Sequence, residues 1–532
     1  MFTIFGSNPF FHILTAEYFS RILGGNSFFL ALTAEYFLGK NGGNPKKTLS
    51  LQREYQLKNA MKIIGREKEQ RLLKDCCQSG KPELIAVYGR RRVGKTYLVK
   101  QFFQERFDFY TTGIYNGSLR EQLAFFNKQL NLYSGSFYPL PKSWMEAFDQ
   151  LQHFLSRLKK KNVVVFIDEM PWLDVPRSKF LKAFELFWNS WASSRPELKL
   201  IVCGSATTWM TNKLMGGKGG LHNRVTRRIW LSPFSLLETK QLLEYQNIRW
   251  NDKQILDCYM VFGGIPYYIS MLQKGLSQVQ NVDEMLFSQT APLKLEYDFM
   301  FSSLYNDAPS YKRIVELLSQ KAKGMTRNEI IDALKLNDNG NLTEMLKNLC
   351  NCDIVRRYAA FGKKQRDMLY QLTDLFTLFY LRFVKDYNGR DEQHWANMME
   401  SAGVTAWKGY AFEQVCFLHF NQIKKALGIN GIQSDICSWA YQSKEDGTGA
   451  QIDMVIDRND QTINLCEMKY AASSYTIKKD YDQRLLERRE LFREKTKTRK
   501  ALHLTMITTF GLKDSPYSGD INSEVTLNDL MQ

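Results

Sequence analysis

Residues Gly89 to Thr96 read G-R-R-R-V-G-K-T, a complete G-x-x-x-x-G-K-[ST] loop. Before it runs Leu84-Ile85-Ala86-Val87-Tyr88, a short apolar stretch suited to a buried parallel strand. After it, Tyr97 to Phe103 carries the apolar spacing of a helix packed on a sheet. Strand, loop and helix in that order predict a phosphate-binding turn. The backbone N–H groups of Gly89, Arg90, Arg91, Arg92, Val93, Gly94, Lys95 and Thr96 would curl around a β-phosphate, with glycines where a side chain would block the path. Lys95 would reach the β- and γ-phosphates and Thr96 would ligand Mg²⁺, while the helix N-terminus faces the anion. These residue types imply a nucleoside triphosphate with Mg²⁺.

Further along, Val163-Val164-Val165-Phe166-Ile167 is an apolar strand ending in Asp168-Glu169. Asp168 at a strand end can hold Mg²⁺ through water, and Glu169 can polarise an attacking water as general base. Leu198 to Gly204 is another buried-strand pattern, and Ser205 at its end is placed to touch the γ-phosphate. Phe180, Phe184, Phe187, Trp188 and Trp191 recur at helical steps and predict core. Arg224, Arg227 and Arg228 precede the strand candidate Ile229-Trp230-Leu231. One of them, Arg224 foremost, is either an arginine finger on a neighbouring subunit's γ-phosphate or part of a solvated basic turn.

These segments resemble the archaeal-type AAA+ ATPases, which lie near the signal-transducing STAND ATPases. The resemblance rests on Ile63-Ile64-Gly65-Arg66-Glu67, the phosphate loop, Phe166 to Leu173, Cys203-Gly204-Ser205, Asn223 to Arg228, Leu231 to Ser235, and Phe262-Gly263-Gly264-Ile265-Pro266-Tyr267-Tyr268. It implies that the last segment lies in a helical lid after the ATPase core.

The 532 residues predict roughly three to four domains. Nine cysteines and six histidines are scattered without paired metal spacing, so neither a zinc site nor an oxidising compartment is indicated, and the expected location is the cytoplasm. The net charge of +17 points to an acidic partner, DNA foremost, or to a basic surface that aids solubility. Leu14-Thr15-Ala16-Glu17-Tyr18-Phe19 returns as Leu32 to Phe37, and charged residues break the apolar runs below membrane-spanning length. Met61 directly precedes the family-like segment, so we expect it to be the natural start, with residues 1–60 an upstream repeat.

After the lid, Tyr311 to Leu318 has helical spacing and Thr326-Arg327-Asn328-Glu329 reads as a capped helix start. Asn339-Gly340-Asn341 gives a turn before a candidate recognition helix, Leu342 to Cys350. Val355 to Tyr358 and Met368 to Leu372 would be wing strands around Lys363-Lys364-Gln365-Arg366. This predicts a winged helix in which Lys347 and the wing cations contact DNA phosphates, or one used only for packing. Beyond it, Gln451 to Asp457 and Thr462 to Lys469 read as paired strands carrying Asp453 and then Glu467-x-Lys469. Alternation puts Glu467 and Lys469 on one side, where Asp453 and Glu413 could complete a metal-binding carboxylate set. The pattern resembles the PD-(D/E)xK nuclease fold, which implies Asp453, Glu467 and Lys469 as catalytic groups. Lys478 to Arg499, dense in charge, is a basic helix on nucleic acid or a solvated helix face.

The expected architecture is α/β: residues 1–60 as an extension, 61–235 as a P-loop parallel sheet, 236–305 as the lid, 306–390 as the winged helix and 400–532 as the nuclease-like domain. Three functions fit: an ATP-hydrolysing machine that binds or cuts DNA, an ATP-dependent switch binding DNA or a partner without cleavage, and a nucleotide-binding scaffold in a protein assembly or homo-oligomer.

Overall fold

The computed structural model describes residues 62–216, 223–305, 307–337, 340–362, 368–442 and 449–532. The repeat in residues 1–60, the expected start at Met61, the wing tip Lys363 to Arg366 and Asn339 lie outside the described residues.

Helix α1 (Glu67–Gln78) leads into β1 (Glu83–Tyr88), the phosphate loop and α2 (Lys95–Phe102). There follow β2 (Phe109–Thr112), α3 (Leu119–Ser134), α4 (Trp144–Leu155), β3 (Val163–Asp168), α5 (Phe180–Ser190), β4 (Leu198–Gly204) and β5 (Arg227–Trp230). The strands form one parallel sheet in the order β2-β3-β4-β1-β5. Alternation divides their side chains between two cores. Leu84, Ala86, Val165 and Leu200 join Phe126, Trp144, Phe148 and Phe184 of α3 to α5, while Ile85, Val87, Phe166 and Ile201 face the other side. Two sequence readings shift here: Trp191 lies just beyond α5, and Arg227 and Arg228 lie within β5 rather than before it.

The segment expected as the lid comprises α6 (Leu236–Tyr245), α7 (Asp252–Phe262), α8 (Pro266–Ser270), α9 (Gln278–Leu286) and α10 (Glu296–Leu304). Gly264, at φ 66°, turns the chain between α7 and α8 where a Cβ would overlap the Phe234 carbonyl oxygen.

A winged-helix order follows: α11 (Ala308–Ser319), β6 (Met325–Thr326), α12 (Arg327–Leu334), α13 (Gly340–Asn351), β7 (Val355–Tyr358) and β8 (Leu369–Leu372), the strands pairing as β6-β8-β7. Thr326 and Glu329 form the expected capping box. Gly340 and Asn341, expected in a turn, instead open α13. Residues after β8 do not extend the wing: α14 (Leu375–Phe379) packs on α7, and α15 (His394–Met398) packs on α9. There, Asp283 accepts the Trp395 and Ala396 N–H groups at 2.7 and 3.2 Å.

The C-terminal part contains α16 (Ala402–Leu418), α17 (Phe420–Ala426), β9 (Ser434–Gln442), β10 (Gly449–Arg458), β11 (Thr462–Lys469), β12 (Tyr475–Thr476), α18 (Lys479–Thr496), β13 (Ala501–Thr508), β14 (Leu512–Lys513), β15 (Ser523–Thr526) and α19 (Leu527–Leu530). Its main sheet, β15-β13-β11-β10-β9, is mixed: β9 to β11 run antiparallel, and β13 and β15 run parallel to β11. Met454, Ile456, Cys466 and Met468 enter the same core as the lid and winged helix, while Ile452, Val455 and Leu465 meet Leu485 and Phe492 of α18. That shared core makes residues 63–532 one compact unit. His419 locks the join: its Nε2 accepts the Leu236 N–H at the start of α6 (3.0 Å), and its Nδ1 faces the Val415 carbonyl oxygen at 2.8 Å. Burial pulls this imidazole down to about 4, so it stays neutral and able to accept.

Candidate nucleotide site and the carboxylates of the second sheet

The phosphate loop leaves β1 through Gly89, whose φ of 148° brings the backbone against β5, where a Cβ would overlap the Leu231 carbonyl oxygen. Gly94, at φ 87°, caps α2 and lets the loop close before Lys95. Val93 is buried and anchors the loop to the core. Lys95 is also buried, and its Nζ donates to the Arg90 carbonyl oxygen at 2.8 Å.

Around it the ends of β3 and β4 bring the other expected groups together. Thr96 Oγ1 donates to Asp168 Oδ2 at 2.8 Å, so two groups suited to Mg²⁺ already share one spot. Burial, then the charge of Glu169, raises the Asp168 carboxyl above its ordinary range. A divalent cation there would reverse that shift. Glu169 adopts a left-handed backbone (φ 42°), and its Oε2 accepts from the Ser205 N–H at 3.1 Å and the Ser205 hydroxyl at 2.9 Å. Lys95, Thr96, Asp168, Glu169 and Ser205 thus gather at the carboxyl ends of β1, β3 and β4, where open α/β sheets bind ligands. Arg224 is exposed, on the turn leading into β5.

Two loop arginines point elsewhere. Arg90 is buried and donates to Asp374 Oδ1 at 2.5 Å, while Arg92 Nε lies 2.6 Å from Glu296 Oε1 and its guanidinium sits 4.2 Å over the Tyr267 ring. Arg91, half-buried, adds its charge to those acting on Glu296. The loop sequence points to phosphate, and nothing in it points to Asp374 or Glu296 as partners of its arginines. The sole hint was three consecutive arginines, more cations than a loop binding through its backbone requires.

In the winged helix, α13 docks on the ATPase segment 207–215 that follows Ser205. Asn348 Oδ1 accepts from Thr208 Oγ1 at 2.8 Å, and Lys347 donates to Asn212 Oδ1 at 3.3 Å. Lys347, expected on a DNA phosphate, is therefore turned toward the ATPase core. Arg356 of β7 is also turned inward: its guanidinium lies 3.4 Å over the Phe417 ring, and burial lowers its pKa to about 10.

In the second sheet, Glu467 and Lys469 share a face, with Lys469 Nζ 2.8 Å from Glu467 Oε1. The same oxygen accepts from the Tyr481 hydroxyl at 2.8 Å, and Oε2 accepts from Arg488 at 3.0 Å. Asp453 lies at a bulge between Ile452 and Val455 and accepts the Met468 N–H at 3.1 Å. Glu413 belongs to α16, whose Phe412 and Cys416 pack with Cys466 and Met468 on the opposite face from α18. Burial, then the charges of Asp453 and Glu467, pushes the Glu413 carboxyl up to about 8. Burial and Glu467 raise Asp453 as well. The expected metal set of Glu413, Asp453 and Glu467 is not assembled: among the described residues, no three His, Cys, Asp or Glu side chains stand close enough to hold a metal ion. The reason is layering, since Glu413 approaches from one face while Glu467 is engaged by α18 on the other.

No helix among the described residues is long and apolar enough to cross a membrane. Residues 63–272 match an ATPase domain family found predominantly in Archaea. An uncharacterized protein of Methanocaldococcus jannaschii is 24% identical over 412 residues, covering 77% of this chain and 87% of that protein. A solved Walker-type ATPase of Pyrococcus abyssi matches with a TM-score of 0.43 and 20% identity, over 60% of this chain and 96% of its own. The ORC2 protein of Aeropyrum pernix, solved as ADPNP–ADP complexes, matches with a TM-score of 0.39 and 15% identity, over 59% of this chain and 91% of its own. The family match stops before the winged helix and leaves the second sheet unassigned. Residues 63–272, which hold the phosphate loop, Asp168, Glu169 and Ser205, are thus similar to the ATPase domain family found predominantly in Archaea.

Proposed function

We propose that the protein is an ATP-dependent switch that binds DNA through its winged-helix and C-terminal parts. The observation that carries this reading is the docking of α13 on the segment directly after Ser205, through Thr208–Asn348 and Lys347–Asn212. Lys95 grips the β- and γ-phosphates, Thr96 and Asp168 hold Mg²⁺, and Glu169 activates water. The Ser205 hydroxyl has one proton, so it can donate to Glu169 or to a γ-phosphate oxygen but not to both. Arrival of the γ-phosphate therefore removes one of the two Ser205 hydrogen bonds to Glu169 and perturbs the segment on which α13 rests. The charge of +17 supports an acidic polymer as partner. The test is DNA binding by the full chain with and without ATP, using wild type, Lys95→Ala and Glu169→Gln. A nucleotide-dependent affinity in wild type that vanishes in Lys95→Ala supports the switch, and an affinity indifferent to ATP overturns it.

A second reading, metal-dependent cleavage by the second sheet, is favoured by one observation. The charges of Glu413, Asp453 and Glu467 act on one another without the three forming a metal-binding cluster, and burial, then like charge, raises the first two. A divalent cation would relieve that crowding once Glu467 leaves its cationic partners. Asp453 and Glu467 would then hold the ion, and Lys469 would meet developing phosphorane charge. The test is a Mg²⁺- and Mn²⁺-dependent cleavage assay with and without ATP on wild type, Lys95→Ala and Glu467→Ala. Cleavage that survives Glu467→Ala overturns the assignment.

A further inference from the structure

Arg90 links the nucleotide site to residues outside it, its guanidinium also lying 3.2 Å from Met300 Sδ, and Arg92 links the loop to the lid. The Arg90 carbonyl oxygen accepts from Lys95 Nζ at 2.8 Å, while its guanidinium, in a pair only 2% and 3% exposed, meets Asp374. Asp374 is also the N-cap of α14: its Oδ2 accepts the Thr377 N–H at 3.1 Å and the Thr377 hydroxyl at 2.5 Å. The Arg92 carbonyl oxygen accepts the Tyr267 N–H at 3.4 Å, and its guanidinium meets Glu296, which also accepts the Tyr268 hydroxyl at 3.0 Å. The loop is thereby tied to the lid on one side and to the segment leaving the winged helix on the other. Gly263 lies at the same junction, where an added Cβ would stand 3.5 Å from the Phe376 nitrogen.

We propose that Asp374 and Glu296 are positioning residues of the nucleotide site, coupling phosphate binding at the loop to the seating of α14 on the lid. When Lys95 turns from the Arg90 carbonyl to a phosphate, the Arg90 carbonyl oxygen loses its Lys95 partner. The guanidinium at the other end of that residue then bears directly on the cap of α14. Arg92 does the same for α10 through Glu296. Both acids also hold Arg90 and Arg92 out of the phosphate cradle. By linkage, whatever phosphate binding does to α14, the position of α14 must do to phosphate binding. This inference rests on the assignment of Lys95 to phosphate.

The experiment uses the full chain with ATP and Mg²⁺, in wild type, Asp374→Asn and Glu296→Gln, each checked for cooperative melting. Two quantities are read: ATP affinity, and the change that ATP causes in amide exchange across residues 375–384. Asn at 374 keeps an oxygen to cap α14 but loses the charge that holds Arg90. We expect ATP affinity to shift by about tenfold in Asp374→Asn, with the ATP-dependent change in exchange lost. Glu296→Gln shows the same loss in lid residues 296–304, and stands in should Asp374→Asn fail to fold. Variants with wild-type affinity and wild-type ATP-dependent exchange overturn the coupling while leaving the ATP assignment intact. Wild type that binds no ATP overturns both.

Discussion

At the end of β3, among the described residues, Asp168 and Glu169 accept hydrogen bonds only from neutral donors: the Thr96 and Ser205 hydroxyls, the Cys203 thiol and backbone N–H groups. In the second sheet, Glu467 is held by two cations, Lys469 and Arg488, and by Tyr481. Both sites put carboxylates at strand ends beside a lysine, so their residue types look alike. They differ in where the countercharge comes from. Among the described residues, no side-chain cation is bonded to the first site's carboxylates, which suit an incoming Mg²⁺. The second supplies its own cations and must break ion pairs before it can take a metal.

The largest expected effect that would sharpen this contrast is at Lys95. Lys95→Ala should weaken ATP binding on the order of a hundredfold or more, since it removes a buried charge from a phosphate contact. Glu467→Ala should leave ATP affinity at the wild-type value, and titration calorimetry of both variants checks the pair. Next comes stability. Asp374→Ala leaves Arg90 buried and unpaired, and should cost about 3–5 kcal/mol in denaturant unfolding. Arg488→Ala breaks a pair 31% and 9% exposed, and should cost about 1 kcal/mol. Equal costs would erase the distinction between a buried junction and a half-open site. Arg488→Ala should at the same time strengthen Mn²⁺ binding, because it frees Glu467 Oε2.

A smaller effect is expected from pH. Glu413 is raised to about 8, so the folded chain keeps a proton that the unfolded chain releases near its ordinary value. The stability it contributes is full below that ordinary value and declines as pH rises toward about 8. Glu413→Gln should flatten this slope, seen as a melting temperature less sensitive to pH across that window. Any divalent metal affinity of the second site should rise over the same range, as protons leave Glu413 and Asp453. His419 has the opposite sign. Its pKa is lowered to about 4, so its contribution is present above the ordinary imidazole value and lost as pH falls toward about 4.

The nucleotide site was legible because its signal is local. Eight consecutive residues dictate loop, glycine positions and lysine, and the strand patterns before Asp168 and Ser205 fix where those side chains emerge. The Glu467-x-Lys469 pairing was legible for the same reason, since alternation within one strand decides it. What escaped the sequence lies in contacts between distant segments. Arg90 and Asp374 stand 284 positions apart, and nothing in either neighbourhood announces the other. Tyr481 and Arg488 sit on a helix whose charge density reads more readily as a solvated face than as nucleic-acid-binding. Its apolar anchors are Leu485 and Phe492, too sparse to reveal which face meets β11. The fused core also has a practical consequence: cutting the chain near residue 305 to remove DNA binding would open the apolar layer shared by lid, winged helix and second sheet. The account is therefore tested best on the intact chain.

The most direct measurement is the DNA affinity of full-length Glu169→Gln held in ATP and Mg²⁺, compared with Lys95→Ala under the same conditions, across a salt series. One variant retains ATP and the other does not, yet their surfaces are otherwise alike. The account predicts affinities that differ by about tenfold or more, both falling steeply with salt. Identical affinities at every salt concentration would contradict it.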